Sequence, residues 1–91
     1  MEKILYHANN WNSFAELIKY RDLIERNGIE LAVSTYNKSL VPVLAVNKLL
    51  LVNPDKYYPD LLIDRTGSSK LSKENTMKWS EFKQVLDDEL S

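Results

Sequence analysis

The sequence predicts an α+β fold. The expected form is a three- or four-stranded antiparallel sheet with a meander over 29–52, a helix at 13–27 and a C-terminal helix at about 74–90. Three observations carry this expectation. Residues 40–52, LVPVLAVNKLLLV, are apolar or proline except at Asn47-Lys48. Residues 29–36 alternate with period two, as a half-buried strand does. Residues 13–27 space their apolar side chains at helical intervals.

Taken in order, Lys3–His7 (KILYH) is short, apolar and β-favouring. It predicts an edge strand or a lead-in. Asn9, Asn10 and Asn12 mark a loop around Trp11. Ser13-Phe14-Ala15-Glu16 fits a capping box, in which the Ser hydroxyl and the Glu carboxylate each satisfy a free backbone N–H. Phe14, Leu17, Ile18, Tyr20, Leu23 and Ile24 follow as an apolar stripe, and Asn27-Gly28 ends the helix. In 29–36, Ile29, Leu31, Val33 and Thr35 share one face.

Residues 40–52 then predict a hairpin with arms 40–46 and 49–52. Its turn is at Asn47-Lys48, since Asn tolerates the positive φ of hairpin turns. Both arms are apolar on both faces, so the hairpin must lie inside the domain or be half covered by another molecule. Pro42 cannot donate to a ladder and belongs at a strand start, bulge or outward edge. Asn53-Pro54-Asp55 stops the meander. Leu61-Leu62-Ile63 is a further short strand or helix, and residues 65–73 (RTGSSKLSK) form an exposed mobile loop. Trp79, Phe82, Val85, Leu86 and Leu90 line one face of the last helix, which starts at Ser72 or Thr76.

Composition narrows the function. Ninety-one residues suit one small α+β domain. The chain has no cysteine, which removes disulfides, thiolate chemistry and Cys-based zinc sites. The start, MEKILYHANNW, has no apolar signal region, and no apolar run approaches a membrane span. These features predict a cytoplasmic protein. The net charge of −1 argues against a dedicated nucleic-acid binder. Locally, no acidic residue stands between Glu30 and Asp55, and only Lys38 and Lys48 carry charge there. Arg65, Lys70, Lys73 and Lys78 against Glu74 make a second basic stretch, and Asp87-Asp88-Glu89 is acidic.

Tests for chemistry return the bland reading. His7 is the only histidine and has no nucleophile near it in sequence. Asp55, Asp60 and Asp64 lack the every-second-residue spacing of a calcium loop. Gly67-Ser68-Ser69-Lys70 lacks the frame of a phosphate loop. No catalytic, cofactor or metal residue is assigned, and the chain is read as a non-enzyme.

Residues 41–62, VPVLAVNKLLLVNPDKYYPDLL, resemble the wing of excisionase-type and MerR-type winged helices, where a Leu-Pro-x motif enters a hairpin. That resemblance implies a small DNA-binding regulator, with Lys38 and Lys48 at turns and Lys70, Lys73 and Lys78 on phosphates. In size and composition the chain is also similar to small accessory proteins of phages and mobile elements, including anti-CRISPR inhibitors. That likeness implies an inhibitor or adaptor acting on a larger host protein. It is the leading expectation, with a homodimer as another way to cover the apolar stretch and nucleic acid as partner under the wing reading. The expected contact residues are Tyr36, Lys38, Lys48, Tyr57, Tyr58, Asp87, Asp88 and Glu89.

Overall fold

A computed structural model describes residues 3–67 and 75–90, without the side chains of residues 89 and 90. The elements are β1 (Lys3–His7), α1 (Trp11–Arg26), β2 (Glu30–Ser34), α2 (Val41–Val46), β3 (Leu50–Leu51), β4 (Leu61–Asp64) and α3 (Trp79–Val85). A single 3-10 turn, Lys38–Leu40, leads into α2, and α3 runs on into a π-type turn, Leu86–Leu90.

The antiparallel meander is overturned. Helices and a sheet do share the domain, but the sheet is all parallel, in the order β3-β2-β1-β4. Lys3–His7 is not an edge or a lead-in but a central strand, paired with β2 on one side and β4 on the other. The physical reason lies in burial. Every residue from Ile4 to Ala8 and from Leu31 to Ser34 is buried, the cover on both faces that a parallel sheet requires. The alternation in 29–36 therefore signalled a strand without signalling a wet face.

Residues 40–52 do not form a hairpin. Pro42 sits in the first turn of α2, where its fixed φ suits a helix and its missing N–H is no loss. The chain break at Asn47-Lys48 is the end of that helix. Lys48 N–H donates to the Ala45 carbonyl and Leu49 N–H to the Leu44 carbonyl, the Schellman pattern of a helix C-terminus. Lys48, rather than Asn47, holds the left-handed conformation, at φ 58. β3 then runs parallel to β2, with Ala32 opposite Leu50.

α1 begins two residues before the expected 13–27 span, and its N-cap lies three residues before the Ser13 of the capping box. Asn10 is the N-cap and its side chain accepts from Asn12 N–H. The helix ends at Asn27, with Gly28 at φ 75. α3 begins at Trp79 rather than at 72, 74 or 76. The predicted helix start at Ser72 and most of the 65–73 loop lie outside the described residues.

One face of the sheet carries all three helices. Ile4, Tyr6, Leu31, Val33, Leu61 and Ile63 meet Phe14, Leu17 and Ile24 of α1, Leu44 of α2, and Trp79, Phe82 and Leu86. The other face is thinner. Leu5, Ala32 and Leu62 are covered by Val52 and Tyr57 from the segment that returns from β3 to β4. The strand order reverses between those two strands. A connection that keeps the hand of the first two crossovers must then cross on the opposite face, and this segment does. Tyr57 anchors it by donating to Glu30 Oε2, while Lys3 and Asp60 pair through their backbones and the Asp60 carboxylate.

Candidate functional site

Among the described residues, exposed aliphatic side chains concentrate on α2 and β3. In a parallel fold a crossover helix normally buries a stripe of side chains against the sheet. α2 has six residues (VPVLAV) and buries only Leu44. Val41, Pro42, Val43, Ala45 and Val46 are exposed. Val46 reaches 79% exposure. On β3, Leu51 is 38% exposed on the helix side of the sheet, opposite Val33, and Leu50 is 48% exposed on the other side, opposite Ala32, so the exposed aliphatic residues wrap the β3 edge. Exposed aliphatic side chains gathered along one edge of a fold suit contact with another molecule.

Its scaffold is fixed from α1. Arg21 Nη1 donates to the Asn47 carbonyl at 2.7 Å and Nη2 to the Lys48 carbonyl at 2.8 Å. Arg21 Nε meets Glu25 at 3.2 Å. Asn47 Nδ2 donates to the Val43 carbonyl. The free carbonyls at the end of α2 thus have charged or amide donors, and the turn that carries Lys48 is held in place.

The expected contact residues fall in four regions. Lys38 and Lys48 are exposed and bracket α2 at its two ends. Tyr36 is half exposed beyond β2 and sets its ring edge-on against His7, 4.7 Å between centroids. Tyr57 and Tyr58 belong to the returning segment. Tyr57 is partly buried against Glu30, which together with burial raises its phenol pKa, and Tyr58 is 79% exposed. Asp87 and Asp88 are exposed on the final turn, which packs on α1. The side chain of Glu89, and Lys70 and Lys73 altogether, lie outside the description. Among the described residues, Lys38 and Lys48 flank α2. Sequence reasoning singled out 40–52 as too apolar for one wet face but named none of the aliphatic residues that α2 and β3 expose.

A second constellation sits at the carboxyl ends of the strands. His7 Nδ1 and Ser34 Oγ lie 2.7 Å apart, and both residues are fully buried. Asp64 is the register neighbour of His7 on β4. Distant in sequence, these three meet only through the strand order. They do not form a catalytic triad. The Asp64 Oδ1 atom is taken by the N–H and hydroxyl of Thr66, and His7 Nε2 has no partner. A working triad orients the imidazole through the carboxylate and leaves the nucleophile open to substrate. Burial lowers the His7 pKa, with Asp64 opposing in part.

Near these ends, Arg65 ties four elements together. Its Nη1 donates to Tyr6 Oη at 3.0 Å and to Glu16 Oε1 at 2.7 Å, and it lies over the Trp79 ring. Tyr6 in turn donates to the Ser13 carbonyl. Burial pushes the Tyr6 phenol to about 12, while the Arg65 hydrogen bond holds the Glu16 carboxyl below its ordinary value. These charges are spent on one another. Among the described residues no group of three or more His, Asp or Glu could hold a metal ion, and no helix is long and apolar enough to cross a membrane.

No protein-family model, no curated protein and no solved structure matches the chain.

Proposed function

We propose that this chain is a non-enzymatic protein-binding module, an inhibitor or adaptor that acts by covering part of a larger host protein. The observation that carries the reading is the aliphatic surface of α2 and β3. Leu44 anchors α2 to the core, and the other five residues of that helix face outward. Burying Val43, Val46, Leu50 and Leu51 against a partner would stabilise a complex by roughly 25 cal/mol for each Å² of apolar surface removed from water, before the cost of association. The anti-defence role suggested by the chain's size and composition is this same reading with a bacterial target. For the winged-helix alternative, residues 41–62 fold as α2, β3 and the returning segment rather than as a hairpin, so no specific observation favours it.

The test is capture from bacterial lysate on tagged protein, with and without nuclease, beside the double variant V46D/L50D. Both sites are exposed, so the variant should stay within about 0.5 kcal/mol of the parent in a urea melt. The expected result is a discrete protein band that survives nuclease and is lost with V46D/L50D. A band indifferent to the double variant would place the contact elsewhere. Capture of DNA alone would turn the reading to the nucleic-acid alternative.

A further inference from the structure

The two edges of the sheet are unlike. The outer edge of β4 is occupied: Leu62 N–H donates to the Asn75 carbonyl and Met77 N–H to the Leu62 carbonyl. At the other edge, Val52 N–H donates to the Val33 carbonyl. By the alternation of a parallel ladder, the N–H and C=O of Leu51 then point away from the sheet. Among the described residues nothing pairs with them.

The segment that forms this edge carries charge of one sign, and the Glu25 carboxylate at its turn is engaged by Arg21. From Leu31 to Pro54 the only charged residues are Lys38 and Lys48. Both are exposed, and among the described residues neither meets a carboxylate. They are ten residues apart, along a 3-10 turn and a helix. A rise of about 1.5–2 Å per residue separates them by roughly 15–20 Å. Between them lie the exposed residues of α2, and β3 follows Lys48.

We infer that this surface takes a segment of a different protein, with an apolar centre and carboxylates towards both ends. The inference rests on the protein-binding reading and gives that partner its chemistry. Charge decides against a second copy of this chain. Two copies meeting here would bring four lysines together, with the Glu25 carboxylates already engaged by Arg21, and like charges there oppose association. Nucleic acid fits poorly as well. Aliphatic side chains offer bases no aromatic stacking platform, and two lysines neutralise few phosphates. An acidic-flanked apolar segment satisfies the aliphatic centre, both lysines and the open backbone edge together.

The experiment pans a phage-displayed library of random peptides, about twelve residues long, against the immobilised full chain. V46D/L50D and K38E/K48E serve as parallel targets, and sedimentation velocity at about 50 µM reports self-association. The expected peptides carry an apolar run flanked by Asp or Glu, are not captured by V46D/L50D, and bind K38E/K48E roughly tenfold more weakly. That ratio corresponds to about 1.4 kcal/mol. Peptides that need Val46 and Leu50 but show no acidic preference, with unchanged affinity for K38E/K48E, would overturn the partner chemistry and leave the apolar surface standing. A dimer dissolved by V46D/L50D would overturn the choice of a different protein. The absence of any peptide dependent on Val46 and Leu50 would remove the binding reading and this inference with it.

Discussion

At the residue scale, the least comfortable group is His7. Its ring is fully buried, one nitrogen sits on Ser34 Oγ, and the other has no partner. Burial lowers its pKa below the ordinary 6.5, so the folded chain binds the imidazole proton more weakly than the unfolded chain does. Stability should therefore be fully present above about pH 6.5 and fall as the pH drops below it, through the folded-state pKa. Urea melts at pH 8 and pH 5.5 should show a lower midpoint at the acid value. The variant His7→Gln, starting from a lower baseline, should lose most of that difference. Equal pH dependence in both proteins would mean that another group titrates.

At the element scale, α1 shows how a convincing local signature can lose to a neighbour. Ser13 and Glu16 satisfy the capping pattern in sequence. Asn10 nevertheless caps the helix, and Glu16 faces Arg65 and Lys83 instead. Asn10→Ala should cost about 1 kcal/mol, whereas Ser13→Ala should stay within about 0.5 kcal/mol. Denaturant melts of the two variants separate the caps, and a larger loss at Ser13 would restore the predicted box. The same lesson applies to α2. Its run of valines is poor in helix propensity and locally suits a strand, yet Pro42 in the first turn, the Schellman turn at Lys48 and Arg21 beneath it close a short helix.

At the scale of the whole molecule, Trp79 joins the C-terminal helix to the rest. Its ring lies 5.3 Å from Tyr6 of β1, 5.7 Å from Tyr20 of α1 and 6.1 Å from Phe82, with Arg65 above it. Removing it opens a cavity at the junction of three elements. Trp79→Ala should cost about 3–5 kcal/mol, a large share of the stability of a small domain. Trp11→Ala, at a site 38% exposed, should cost far less. Comparable losses in thermal melts of the two variants would contradict this account of the core.

The sequence alone determined where most regular elements lie. Helical periodicity marked α1 and the C-terminal helix, β-branched content marked β2, and Asn27-Gly28 and Asn47-Lys48 marked two chain breaks, because these signals are written in neighbouring residues. It also marked 40–52 as a stretch that one wet face cannot explain. Only the tertiary structure decided how strands pair. A strand buried on both faces looks the same locally whether its neighbours run parallel or antiparallel, and an apolar run of six or seven residues suits a buried strand or a short helix equally. The meeting of His7 with Ser34, the Arg65 network and the outward side chains of α2 come from the sheet order, which depends on contacts between residues far apart in sequence.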